Sequence, residues 1–125
     1  MAGELVLVVE DNEKNMKLFR DVLQATGYRT LEADSGEHAL ELAAQHAPDL
    51  VLMDAQLPGI DGFEALRRLR ADERTAGACI VALTAQAMAG DRERFIDAGF
   101  DGYISKPIDL PEFIKTVKDY CGASL

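Results

Sequence analysis

The sequence predicts an α/β domain, a doubly wound (βα)5 unit whose five-stranded parallel sheet has the order 2-1-3-4-5. Two observations predict it. Five short apolar runs, at 5–10, 29–33, 49–54, 79–84 and 102–105, alternate with five stretches of helical periodicity. Alternating βα units build a parallel sheet with helices on both faces. The runs also differ in kind. The first, third and fourth are continuously apolar, as strands covered on both faces must be. The second (Arg29, Thr30, Leu31, Glu32, Ala33) and fifth (Gly102, Tyr103, Ile104, Ser105) are mixed and read as sheet edges. Right-handed crossovers between such strands favour the stated order.

The helices follow in sequence. Met16, Phe19, Val22 and Leu23 make a helical stripe after the first run, and Leu40, Ala43, Ala44 and Ala47 another after the second. Phe63, Leu66 and Leu69 make the third. Met88, Phe95 and Ile96 make a weaker fourth, and Phe113, Ile114, Val117 and Cys121 the fifth. Gly27, Gly99 and Gly122 stand where helix C-termini need a left-handed residue. Asp61 with Glu64, and Asp109 with Glu112, have the spacing of capping boxes at helix starts.

The whole chain, 1–125, reads as one domain. Both ends lie within a few residues of expected elements, leaving no room for an output domain. No apolar run approaches the length of a bilayer crossing, and no basic segment precedes the first run, so a cytoplasmic protein is expected. The net charge of −9 is the wrong sign for nucleic acid or an anionic membrane surface and points to protein partners. Cys79 and Cys121 lack paired spacing and read as buried thiols in a reducing compartment. His38 and His46 read as surface helix residues.

In sheets of this kind ligands bind at the carboxyl ends of the strands, at the switch point between strands 1 and 3. Every run ends there in polar chemistry: Glu10 and Asp11, then Asp54, Thr84, and Ser105 with Lys106 and Pro107. Carboxylates gathered in one pocket repel, by about 3 kcal/mol for two charges roughly 5 Å apart at an effective dielectric of about 20. A cation relieves this, and hard oxygen donors suit Mg²⁺. Asp54 is then placed to act as a nucleophile toward a phosphoryl group, with Lys106 and the Thr84 hydroxyl on its oxygens. Singly, each residue has a structural reading: Asp54 as a turn former, Glu10 and Asp11 as helix N-terminal acidity, Lys106 as a solvated lysine.

Together the segments Val9-Glu10-Asp11-Asn12, Leu52-Met53-Asp54, Leu57-Pro58-Gly59-Ile60-Asp61-Gly62, Ala82-Leu83-Thr84-Ala85 and Tyr103-Ile104-Ser105-Lys106-Pro107 resemble the signature set of response-regulator receiver domains, which have the flavodoxin/CheY-like fold. The resemblance implies Asp54 as phosphoacceptor and Glu10, Asp11, Asp54 and the Gln56 backbone carbonyl as Mg²⁺ ligands. It implies Thr84 and Lys106 as phosphoryl contacts, Thr84 and Tyr103 as the switch pair, and a cis peptide between Lys106 and Pro107. The acidic pair is Glu-Asp where Asp-Asp is commoner, and Ala55 opens the site entrance. Gln56 and Gln86 stand at positions that influence phosphoryl lifetime in the family.

The segments 10–19 and 84–91 resemble the stand-alone receivers of bacterial cell-division control. The expected function is therefore a single-domain response regulator of phosphorelay signalling. It would take its phosphoryl group from a histidine kinase or phosphotransfer protein and act on a downstream protein target, without turnover of an external substrate. A receiver excised from a hybrid histidine kinase and a pseudo-receiver scaffold are the alternatives. A haloacid dehalogenase would need a second Asp where Gln56 stands. A flavodoxin would need a phosphate-cradling loop where the acidic 10–13 stands. The expected output face is helix 4, strand 5 and helix 5, because the small residues of 85–90 weaken the start of helix 4.

Overall fold

The computed structural model describes residues 3–57, 59–84, 91–106 and 108–122. Among these residues five strands and five helices alternate: β1 (Leu5–Val9), α1 (Glu13–Ala25), β2 (Arg29–Ala33), α2 (Gly36–His46), β3 (Leu50–Asp54), α3 (Gly62–Ala71), β4 (Cys79–Thr84), α4 (Asp91–Ala98), β5 (Gly102–Ser105) and α5 (Leu110–Gly122). All pairings are parallel, and the sheet order is β2-β1-β3-β4-β5, as the strand compositions predict.

The strands alternate their side chains between two cores, as a pleated strand requires. Leu7, Val9, Val51, Met53, Ile80 and Ala82 face the layer of α2, α3 and α4. Val6, Val8, Leu50, Leu52, Val81 and Leu83 face α1 and α5, where Phe19 stacks on Phe113 with ring centroids 5.4 Å apart. Burial on both sides makes β1 apolar throughout and β3 and β4 apolar up to their polar last residues, Asp54 and Thr84, while β2 is only partly buried, with Arg29 and Glu32 exposed.

Three readings need correction. In α2 the buried stripe is Gly36, Ala39 and Ala43, and Leu40 is half-buried. Ala47 lies beyond the helix as a left-handed C-cap at φ 48°. Small residues form the seam because the packing is close: a Cβ on Gly36 would meet the Ile60 side chain at 2.6 Å. Gly27 and Gly99 do adopt positive φ after α1 and α4, but Gly122 is the last residue of α5. Cys121 is buried, whereas Cys79 is only half-buried.

Caps set the helix starts that matter for the site. Asn12 accepts from the amides of Lys14 and Asn15, starting α1 directly after the acidic pair. Asp61 accepts from the Glu64 amide at 2.9 Å, starting α3 beyond the β3 loop. Glu64 turns its carboxylate to Arg67 and Arg68, so only one half of the expected capping box forms. Met88, Gln86, the small-residue run 85–90 and Pro107 lie outside the described residues.

Candidate functional site

β1 and β3 are neighbours whose carboxyl ends carry Glu10, Asp11 and Asp54 to one place. β1 ends at Val9, so Glu10 and Asp11 stand just beyond the last ladder residue, where side chains are no longer bound to alternate across the sheet. One oxygen from each of the three carboxylates lies within 4.8 Å of the other two. Glu10 is 2% exposed and Asp54 7% exposed, while Asp11 is open to solvent.

Lys106, one residue past β5, bridges the buried pair. Its Nζ donates to Glu10 Oε1 at 2.8 Å and to Asp54 Oδ2 at 3.1 Å. Its position is set by the sheet, because the Lys106 amide donates to the Thr84 carbonyl at 2.7 Å, extending the β4–β5 ladder. The Asn12 amide donates to Glu10 Oε2 and the Gln56 amide to Asp54 Oδ1 at 2.9 Å, so both carboxylates are held at two oxygens. Burial pushes the Glu10 carboxyl above its ordinary value, against the Lys106 hydrogen bond and with help from the Asp54 charge. For Lys106, burial works against the ammonium, but the hydrogen bonds to Glu10 and Asp54 outweigh it and raise the pKa.

Thr84 is buried at the end of β4, next to the Leu83 that pairs in register with Asp54. Gln56 is exposed beyond β3. Tyr103, in β5, pairs with Ala82 and stands away from the carboxylates. Its ring stacks on Phe95 of α4 at 5.7 Å, and Phe95 stacks on Phe63 of α3 at 5.4 Å. The Arg94 guanidinium lies over both of those phenyl rings, 5.3 Å from Phe63 and 5.2 Å from Phe95. The structure therefore gathers Glu10, Asp11, Asp54 and Lys106 at one edge, with Thr84 on the adjoining strand. The aromatic ladder was not legible in sequence, since Phe63 and Phe95 fit an ordinary core stripe there. The Lys106–Pro107 peptide lies outside the described residues.

Three oxygen ligands around a short gap, faced by one ammonium, form a cluster able to hold a divalent cation of the hard, oxygen-seeking kind. Arg70 is committed elsewhere, donating to the carbonyls of Ala76, Ala78 and Gly99 and to Asp101. Arg67 and Arg68 are paired with Glu64, and no arginine cluster for an anionic ligand arises from this segment. No helix among the described residues is long and apolar enough to cross a membrane.

Comparison with known proteins agrees with this geometry. The model of the response regulator receiver domain family matches residues 6–118. The polar-differentiation response regulator DivK of Brucella ovis is 52% identical over 117 residues, covering 94% of this chain and 95% of that protein. The receiver domain of sensor histidine kinase PA1611 from Pseudomonas aeruginosa PAO1, whose crystal structure holds a magnesium ion in the active-site cleft, superposes with a TM-score of 0.88. It is 37% identical, covering 97% of this chain and 99% of that one. The chemotaxis response regulator CheY4 of Vibrio cholerae shares the fold at a TM-score of 0.89 and 24% identity, covering 95% and 99% of the two chains. The chain belongs to the response regulator receiver domain family.

Proposed function

We propose that residues 1–125 act as one cytoplasmic receiver domain in which Asp54 accepts a phosphoryl group from a phosphohistidine donor, and that its signal leaves by protein–protein contact. The observation that carries this reading is the Lys106 ammonium bridging Glu10 and Asp54 beside the three-carboxylate cluster. A carboxylate oxygen of Asp54 forms the new bond to phosphorus. The phosphorus–nitrogen bond of the donor breaks, and its electron pair stays on the imidazole of the kinase or phosphotransfer protein. Lys106 and the Thr84 hydroxyl would hold the phosphoryl oxygens as negative charge gathers there. Glu10, Asp11, Asp54 and the Gln56 carbonyl would hold Mg²⁺, which supplies further positive charge to the transferring group.

The response then travels from Thr84 to Tyr103 and on to Phe95 of α4, within the face made by α4, β5 and α5. The DivK relatives are named for polar differentiation, which supports a role in cell-division control for this chain. Intact mass after incubation with acetyl phosphate and Mg²⁺ tests the chemistry. One added phosphoryl group is expected, absent in Asp54→Asn and in a chelated sample. Uptake by Asp54→Asn, or none by the native protein, would overturn it.

The metal assignment has its own test. A site with a dissociation constant on the order of 1 mM is stabilised by about 1.4 kcal/mol in roughly 10 mM Mg²⁺. That corresponds to a rise in melting temperature of about 5 °C for a domain of this size. Thermal melts of Asp11→Asn should show little of this rise. A full rise in that variant would remove Asp11 from the ligand set.

A further inference from the structure

Resting on the reading of α4, β5 and α5 as the output face, we infer that its groove takes a cationic amphipathic segment of the partner protein, with lysine or arginine flanking an apolar anchor. The groove is a cavity of about 550 Å³ along the length of α5. Its floor is apolar, from Tyr103, Ile104 and the buried Phe113, and Ile96 stands 41% exposed at its α4 side. Its rim is acidic. Asp109, Glu112 and Asp119 line it, and none has an ion-pair partner among the described residues. Asp101 also borders it but is committed to Arg70 and the Ile80 amide. No cation lines the groove among the described residues, and α5's own Lys115 and Lys118 are not part of it.

The helix dipole accounts for Asp109 and Glu112, which flank the first turn of α5. It does not account for Asp119. That carboxylate sits in the last turn, against the negative end of the dipole, where no basic residue offsets it. Glu112, Thr116, Asp119 and Tyr120 follow helical spacing on one side of α5 and face the groove together. From Glu112 to Asp119 the helix rises about 10 Å, close to two turns of a partner helix. Carboxylates spread over that length match a ligand carrying several positive charges rather than a single small cation. They repel nucleic acid. An apolar floor with a charged rim along one side is the form that receives an amphipathic helix. Tyr103 belongs both to this floor and to the aromatic ladder, so the occupant would lie on the residue the phosphoryl switch moves.

The test is fluorescence anisotropy with a labelled two-heptad peptide of lysine and leucine, and with its glutamate-for-lysine counterpart. The lysine peptide should bind and weaken with added salt, and the glutamate peptide should not bind. Asp109→Asn, Glu112→Gln and Asp119→Asn combined should weaken binding by about tenfold, three rim charges each contributing a modest share. A variant of equal net charge, with Asp34→Asn, Glu41→Gln and Glu73→Gln, should stay within about twofold of native. Equal losses in the two variants would show attraction to net charge alone and overturn the proposal, as would unchanged binding by the groove variant. Acetyl phosphate uptake on the same samples separates the two readings. A groove variant that is phosphorylated but loses the peptide supports the groove. A native protein that takes no phosphoryl, yet still discriminates the peptides at this groove, loses the Asp54 chemistry and keeps the groove.

Discussion

Lys106→Met will melt well below the native protein, and the deficit will grow as pH rises from 5 to 8. Lys106 is the one described cation facing the buried Glu10 and Asp54, and it bonds both. Methionine fills similar volume but leaves two carboxylates without their positive partner. Removing one member of a buried ion pair costs 3–5 kcal/mol, and a lysine that keeps some solvent contact sits lower, at about 2–3 kcal/mol. For a chain of this length that is a drop of about 8–11 °C in melting temperature.

The pH dependence follows from Glu10. Its folded pKa is raised by burial, so the stability it contributes is fully present below its unfolded value and is lost as pH rises through the folded one. Removing Lys106 takes away the hydrogen bond that holds this shift back. The shift grows, and the loss across the same interval deepens. Lys106 itself keeps its charge throughout that range, because its own pKa is raised. Added Mg²⁺ should recover more stability in the variant than in the native protein, since a cation at the cluster replaces part of the missing charge. Phosphoryl uptake from acetyl phosphate should slow by about a hundredfold, the usual cost of losing one preorganised charge partner. Melts at pH 5 and 8 that show the same deficit would detach Lys106 from the Glu10 titration.

Strand order was legible because burial on two faces leaves a compositional mark: β1, β3 and β4 have no polar face to spare, and β2 does. The gathering of Glu10, Asp11, Asp54 and Lys106 was legible for a related reason, since a parallel sheet carries every strand's carboxyl end to the same edge. Other features depend on distances that no spacing reports. The two hydrogen bonds that Lys106 donates to Glu10 and Asp54 tie together the ends of three strands. The phase of α2 was misread because Leu40 is the largest apolar residue of its stripe, whereas the buried seam is made of the small Gly36, Ala39 and Ala43, with Gly36 packed closely on Ile60. Gly62 was read only as part of the family motif, beside the Asp61 cap. Its closeness to the backbone of Asp54 appears only in three dimensions.

That closeness makes Gly62→Ala the second severe substitution. The Gly62 amide donates to the Ala55 carbonyl at 3.2 Å, docking the first turn of α3 onto the loop that leaves Asp54. A Cβ at Gly62 would stand 2.5 Å from the Asp54 carbonyl oxygen and 2.8 Å from the Ala55 Cα. These are backbone atoms and cannot rotate aside. Ala55 is itself fixed, its amide donating to the Leu83 carbonyl of β4 at 2.9 Å. Either α3 lifts from the sheet, disturbing Ala65, Leu66 and Leu69 in the core, or the acceptor loop moves and carries Asp54 away from Lys106. Overpacking of this kind costs about 2–3 kcal/mol. Helix propensity favours alanine by only about 1 kcal/mol at an interior position, and by less at a first turn. The expected result is a melting temperature lower by about 5–10 °C, together with slower phosphoryl uptake. Gly77→Ala is the matched control, since a Cβ there meets nothing within 4 Å and its φ is not positive. Its melting temperature should be unchanged or slightly higher, as fewer unfolded conformations compete. If Gly62→Ala melts and takes up phosphoryl as Gly77→Ala does, the contact between α3 and the acceptor loop has no part in holding Asp54.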